Sequence, residues 1–596
     1  MSQATTKKGI LGNFLKNPRW DSRIKSQNVT TAEKILGYFI GPWGMMLTNS
    51  VVNSYFNQYL TDVLGFTIDK GAWIITFMAL FPLLSKVIDA VTNMVMGKVM
   101  DMTVCRQGKA RPWYILSAPL VAISVLMLFW VPFADTVAQA IWVAIAYNLY
   151  YAVAYTMWNM AKELGVAVST RNIKQRRSNA LSANLVMNMG TGVVSILFPT
   201  MLSGVIRSMA GGNTAHGYFY TMAIIACVAV PLTFVQYFYT RERVTEERRA
   251  HPETAESEAP ILSASEASFR KQLKACFSDR YWVLFMISFL ALWIFTNLRN
   301  IALVYYSGWV VNGNAYGMYE LVQRRFQIIA MQPMFLGVFI VFPAMRKWGR
   351  RRTIWVGATL TIIGSVIAYM GAGSSMKVYA GSALAGFGNV AFSYLLSTFL
   401  GDVIDHVEWK TGVRCDGFTS AVYGAVFTIA AGLGQAIFNI GLGMSRYAQP
   451  ELIGVSADGI NLYADQLPSA ISWLNMSYQG GYIILGVIMF VIFLFFFKLE
   501  DDLPTAEKEL QDRKVAEYAA KGLVYVTPAE LEAREIEAQE KEAEEIRIRE
   551  LKEKCLKKGL SFEAENKKVL DARAAKEAKA KAKADARAAK AAARKK

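Results

Sequence analysis

Apolar runs of about twenty residues, the length that crosses a bilayer, recur twelve times between residues 35 and 498. They fall near 36–60, 72–98, 112–133, 138–168, 180–206 and 218–240, then near 281–308, 325–345, 353–372, 377–404, 417–445 and 471–498. Each run is continuous rather than alternating, which predicts helices and argues against a membrane β-barrel. Breaks such as Gly41-Pro42, Pro132 and Pro333 are tolerated in membrane helices. The leading segment 1–34 is polar and basic, with no apolar stretch that reads as a cleaved signal.

Positive charge gives these spans an orientation. Loops after even-numbered spans carry 23 Lys and Arg, and loops after odd-numbered spans carry 6. That excess places both termini in the cytoplasm. The net charge of +18 is concentrated before residue 500, where 40 basic residues face 24 acidic ones. In so apolar a chain it reads as an orientation signal rather than a nucleic-acid footprint. The chain also repeats itself. Gly97-Lys98-Val99-Met100-Asp101, followed by Gly108-Lys109-Ala110-Arg111-Pro112, joins spans 2 and 3, and a basic run from Met345 to Arg352 sits at the same place in the second half.

The reading is therefore an all-α membrane protein of twelve helices in two six-helix bundles, 35–240 and 281–498, the parallel-repeat plan of major-facilitator transporters. Between them lies a cytoplasmic linker, 241–280, and after them a charged tail, 499–596. Phe269, Leu273 and Phe277, spaced i, i+4, i+8, predict an amphipathic interfacial helix at the end of the linker.

Composition narrows the function. With 54% AVILMFWYC, 18% charged residues and a mean hydropathy of +0.26, a soluble multidomain enzyme is excluded. The 5 cysteines form no CxxC pair and the 3 histidines no ligand spacing, so no metal site is expected. No GxxxxGK[ST] loop occurs, so transport would be driven by gradients and not by ATP.

Ionisable groups at bilayer depth are costly and need a partner or a wet cavity. Lys86 and Asp89 lie three apart on one face of span 2, with Asn93 a turn further on. Asn49, Asn53 and Asn57 stripe span 1, Tyr147, Tyr151, Tyr155 and Asn159 follow along span 4, and Asn184 and Asn188 mark span 5. Amides and phenols can hydrogen-bond sugar hydroxyls, and aromatic faces can stack on a sugar ring. They can equally join helix to helix. Arg299 in span 7 either binds a uronate carboxylate through both of its N–H edges or snorkels to the outer interface.

Lys86-Val-Ile-Asp89-Ala-Val-Thr-Asn93-Met-Val-Met-Gly97 and Asp402-Val-Ile-Asp405-His-Val-Glu408-Trp409-Lys410-Thr411-Gly412-Val-Arg414-Cys-Asp416-Gly417 resemble the glycoside–pentoside–hexuronide cation symporters, the melibiose permease group of the major-facilitator fold. The resemblance covers residues 35–498. It implies sugar transport coupled to a cation held by carboxylates in spans 2 and 4, with a lysine of span 11 nearby. Asp89 matches the first carboxylate. Asn93, Asn159 and Thr428 stand where the family has Asp, Asp and Lys, while Met46 and Asn184 replace its span-1 acid and span-5 arginine. The lost carboxylates weaken the case for Na⁺ and leave H⁺ on Asp89 as the alternative.

The expected coupling region is Asp89, Lys86, Asn93 and Asn159. The expected substrate path is Asn49, Asn53, Tyr151, Tyr155, Asn184, Arg299 and Thr428, and gating contacts fall to Gly97, Asp101, Asp402, Asp405 and Arg414. The chain reads as a monomer in the cytoplasmic membrane moving a sugar, glycoside or hexuronide, with no cofactor and no nucleic-acid partner. An uncoupled facilitator, a carrier of a non-sugar solute, and a sensor signalling through its tail are the rival readings. In the tail, Thr527-Pro528-Ala529-Glu530 predicts a capped helix. The tail carries −7 over 500–566 and +9 over 567–596, a basic end suited to anionic lipid or a cytoplasmic partner.

Overall fold

The computed structural model describes residues 17–103, 105–250, 268–311, 319–372, 374–455, 461–520 and 526–578, except 573, 576 and 577. Among the described residues ten helices are long and apolar enough to cross a membrane: Glu33–Val63, Ala72–Asp101, Arg111–Leu128, Thr136–Ala167, Thr214–Tyr239, Arg280–Val311, Arg350–Met370, Ser375–Thr411, Asp416–Met444 and Pro468–Phe496. These are spans 1–4, 6, 7 and 9–12. Span 5, Ile173–Ser208, bends by 44° between Val194 and Ile196 and makes an eleventh. The place of span 8 is taken by a helix of 30 residues, Tyr319–Trp348. Its charged residues lie at its ends, Glu320, Arg324 and Arg325 before and Arg346 and Lys347 after an uncharged stretch over 326–345. Among the described residues eleven of the twelve expected spans thus meet that measure, and Tyr319–Trp348 stands at the place of the twelfth.

Within the first group of helices, span 1 packs on spans 5 and 6, span 3 on 4 and 6, and span 2 on 4. In the second group, span 9 packs on 10 and 12, span 7 on 11 and 12, and span 8 on 10. The groups meet along three seams: span 2 with 11, span 5 with 8, and span 1 with 7. At the end of the bundle away from the termini these seams are bonded. Tyr447 donates to Asp62 at 3.0 Å, Asn57 donates to the Tyr305 hydroxyl at 3.0 Å, and Thr61 meets the same hydroxyl at 2.8 Å. Toward the other end, which carries the basic loops, fewer residues of spans 2 and 11 are buried. Their buried residues gather in the far halves, Ile74, Met78 and Phe81 on one and Ala430 to Gly443 on the other. Val87, Val91, Met94 and Val95 are exposed on span 2, as is Phe427 on span 11.

The repeated basic motif has a shared structural cause. Glu242, just beyond span 6, turns back to accept the backbone N–H groups of Lys109 (2.8 Å), Ala110 (3.0 Å) and Arg111 (2.8 Å) at the start of span 3. Glu500, just beyond span 12, accepts those of Arg350 (3.0 Å) and Arg351 (3.1 Å) at the start of span 9. In each half an acid following the sixth span neutralises the positive end of the third. Gly108, at φ 119°, allows this: a Cβ there would lie 2.4 Å from the Glu242 carboxylate.

Two tail helices lie across the same basic end. Leu499–Ala520 docks on the second half, where Tyr281 donates to Asp502 (2.9 Å) and Trp409 to Glu509 (2.8 Å). Pro528–Lys558 starts with the expected capping box of Thr527 and Glu530 and docks on the first half. Arg177 pairs with Glu532 at 2.7 Å, Ser26 donates to Glu550 at 2.8 Å, and the Ile173 N–H donates to Gln539 at 2.9 Å. The acidic part of the tail thus contacts the protein's own basic loops, an arrangement the sequence reading did not include. Residues 579–596, which hold most of the basic run expected to meet lipid, lie outside the described residues, as do 1–16 and 251–267.

The amphipathic helix is present as Phe269–Ser278, with Phe269, Leu273 and Phe277 exposed. A short hairpin of Leu452–Val455 and Asn461–Tyr463, between spans 11 and 12, was not expected. Asp279, fully buried, caps span 7 by accepting the N–H groups of Tyr281 (2.9 Å) and Trp282 (3.0 Å) and meets His406 Nδ1 at 2.6 Å. Burial works to raise its carboxyl, but the His406 bond and the two backbone donors outweigh it and hold the group below its ordinary range.

Replacing Glu242 or Glu500 by Ala should each lower unfolding stability by about 1–2 kcal/mol, and roughly additively in the double variant, read as thermal midpoints of the purified protein. A depressed carboxyl stabilises the fold above its ordinary pKa, and the gain is lost as pH falls. The stability gap between wild type and Asp279→Asn should therefore be full at neutral pH and shrink below about pH 4.

Candidate transport site

Span 2 builds the charged part of the site. Pro82 has no N–H, so the Met78 carbonyl one turn earlier loses its helical donor. The Asn439 side chain, from span 11 in the other half, supplies one at 2.8 Å. One turn further along span 2, Lys86 Nζ pairs with Asp89 Oδ2 at 2.9 Å. Lys86 also lies over the Tyr151 ring of span 4, 4.4 Å from its centroid. Asp89 is buried, and its second oxygen, Oδ1, has no hydrogen-bond partner. Gly432 of span 11 lets the halves close on this pair, since a Cβ there would lie 3.2 Å from Lys86 Cγ. The only acid of span 2 at this depth is thus half-satisfied, and it stands at the seam between the bundles.

The wall opposite is aromatic. Span 4 widens into a π-helical stretch at Leu149–Tyr155, a distortion that re-aims side chains. It collects Tyr147, Tyr150, Tyr151 and Tyr155, with the Tyr147 and Tyr151 rings 4.7 Å apart and those of Tyr151 and Tyr155 6.0 Å apart. The Tyr155 hydroxyl reaches the Met46 sulfur at 3.9 Å. On span 1, Asn49 is half-buried and Asn53 exposed, whereas Asn57 is committed to the inter-half bond with Tyr305. The amide stripe thus divides, its far member joining helices and its nearer members remaining accessible. Asn159 keeps a buried Oδ1 without a partner, Asn93 is half-buried, and Asn184 is exposed. Thr428 is spent on its own helix, donating to Gly424 at 3.2 Å.

Arg299 does not snorkel. It is 8% exposed, held between Tyr478 and Tyr482 of span 12 at 4.2 and 4.0 Å from the ring centroids. The sequence reading missed these two tyrosines because partners on a distant helix leave no spacing signal. Each cation–π contact contributes about 0.5–2 kcal/mol.

The expected gating residues bond within one half. Arg350 faces Asp402 at ion-pair separation, though without the alignment of a hydrogen bond. Arg414 gathers Asp405 (3.0 Å), Asp416 (2.6 Å) and Glu408. Asp101 is exposed at the end of span 2 and Gly97 is half-buried beside Met160. Among the described residues no metal-binding cluster of His, Cys, Asp or Glu is present.

A helical bundle in two groups, with a polar seam inside it, defines a multi-pass membrane transporter rather than an enzyme. The model of the family described as MFS/sugar transport protein matches residues 37–501, and the chain belongs to that family. The isoprimeverose transporter of Lactiplantibacillus pentosus is 24% identical over 502 residues, covering 83% of this chain and 94% of its own. A protein of Escherichia coli (strain K12) named for sulfoquinovose import is 23% identical over 408 residues, covering 67% and 79%. Among solved structures, a bacterial homologue of the human lysosomal transporter Spinster overlaps with a TM-score of 0.47 at 13% identity, covering 78% of this chain and 97% of its own.

Asp89→Ala leaves Lys86 as an unpaired cation. The expected loss is roughly 2–3 kcal/mol, below that of a fully buried pair because Lys86 keeps 18% exposure. Lys86→Met combined with Asp89→Leu should recover most of it, as measured by thermal unfolding in detergent.

Proposed function

We propose that the chain is a secondary transporter of a sugar-like solute in the cytoplasmic membrane, working by alternating access, with Asp89 as the coupling acid. The basic end is the cytoplasmic end, because its loops carry the Lys and Arg excess. Inter-half bonds of Asp62, Tyr305 and Tyr447 at the far end, with fewer buried residues on spans 2 and 11 toward the cytoplasm, support an inward-facing reading.

The observation that carries coupling is the free oxygen of Asp89 beside Lys86 at the seam with Gly432. A carboxylate with a vacant acceptor can take a proton, and protonation releases its hold on Lys86. Any opening of the seam at Gly432 changes the solvation of both groups, which ties proton occupancy to the state of the two halves. A Na⁺ site is disfavoured, since Asn93 and Asn159 bring amide oxygens and no further charge. The tyrosines of span 4, with Asn49, Asn53 and Asn159, supply stacking faces and hydrogen-bonding groups for a polyol. Relatives named for isoprimeverose and for sulfoquinovose support a sugar-like cargo.

In proteoliposomes, wild type should accumulate solute under an inward proton gradient and not under a Na⁺ gradient. Asp89→Asn should lose accumulation and keep solute exchange. Accumulation by Asp89→Asn equal to wild type would remove Asp89 from coupling, and exchange without accumulation in wild type would make the chain a facilitator.

A further inference from the structure

We propose that the cleft where spans 7 and 12 meet the interfacial helix Phe269–Ser278 binds an anionic phospholipid, with its phosphate between Arg280 and Lys498. The inference goes beyond the transport reading and does not depend on it. The cleft has a volume of about 620 Å³. Phe277 of the interfacial helix, Leu284 of span 7, and Phe495 and Phe496 at the end of span 12 form its apolar part. Arg280 and Lys498 form its charged part, and among the described residues no acid lines it. The three phenylalanines are 59%, 58% and 57% exposed, so no described residue covers them. Phe277 nevertheless has a fixed seat, its ring 4.9 Å from that of Trp282.

The acids nearby in the chain are engaged elsewhere. Arg280 Nη2 donates to the Tyr281 hydroxyl at 2.7 Å, and that hydroxyl donates in turn to Asp502 at 2.9 Å. Asp279 is buried against His406. Glu500 accepts from the Arg350 and Arg351 N–H groups, and Asp501 pairs with Arg351 at 3.4 Å. Lys498 is exposed and, like Arg280, forms no ion pair among the described residues. A phosphodiester brings the anion that these two cations lack, and acyl chains bring the apolar cover that the phenylalanines lack. Inorganic phosphate or a soluble polyanion supplies only the first. Arg270, Lys271 and Lys274, exposed on the interfacial helix, add positive charge that repels the ammonium of a zwitterionic headgroup. A lipid seated here ties the start of span 7 to the root of the tail helix Leu499–Ala520.

The test uses the full chain in detergent, with bound lipid counted by native mass spectrometry. The probes are phosphatidylglycerol, phosphatidylcholine with the same acyl chains, and glycerophosphoglycerol, which is the first headgroup without chains. Wild type should bind phosphatidylglycerol more tightly than phosphatidylcholine, and glycerophosphoglycerol should not displace it at equal concentration. Arg280→Gln and Lys498→Gln should each weaken phosphatidylglycerol by about 5-fold, and the double variant by about 25-fold, the effect of one and of two cations near an anionic surface. Arg280→Lys should weaken it less. Arg346→Gln combined with Lys347→Gln removes two cations from the same end of the bundle, at span 8, and should leave the affinity unchanged. Equal affinity of wild type for the two lipids overturns the inference, and this arm does not depend on any variant folding. An equal loss in the span-8 control overturns it in favour of diffuse attraction. Displacement by glycerophosphoglycerol overturns it in favour of a site for small soluble phosphates.

Discussion

A charge taken out of water must be met by an opposite charge, by aligned dipoles, or by a guest that brings one. The interior of this bundle meets the demand differently on its two sides. In the first half, Lys86 and Asp89 neutralise each other within one turn of one helix. In the second, among the described residues, Arg299 meets two tyrosines, Tyr478 and Tyr482, and no acid. The same rule extends to the backbone. Pro82 frees the Met78 carbonyl, and the partner half sends Asn439 to cover it. The Asn439–Met78 contact between the halves at this depth is therefore an answer to a local deficit.

The halves are alike where they start and unlike where they do chemistry. Glu242 and Glu500 perform one capping task at equivalent places, after the sixth and the twelfth span. Asp402, Asp405 and Arg414 likewise bond inside their own half. At the far end, Asn57, Asp62, Tyr305 and Tyr447 connect one bundle to the other.

Most of the fold was legible in the sequence because hydrophobic length is a strong local signal. Span 8 follows the same signal, an uncharged stretch over 326–345 between charged ends. The Lys86–Asp89 pair was legible from spacing alone. The Tyr478–Arg299–Tyr482 stack was not, because its members are some 180 residues apart in the chain and nothing periodic joins them. The tail illustrates the same limit. Its capping box at Thr527 and Glu530 could be read directly, but its docking on Arg177, Ser26 and Ile173 depended on shape.

That docking has a mechanical corollary. The tail grips the second half through Leu499–Ala520 and the first through Pro528–Lys558. From Ala520 to Val526 there are six virtual bonds, a leash that spans at most about 22 Å when taut. While both grips hold, the mouth of the bundle on that side has a maximum gape set by the length of the leash, whatever the helices beneath it would otherwise adopt.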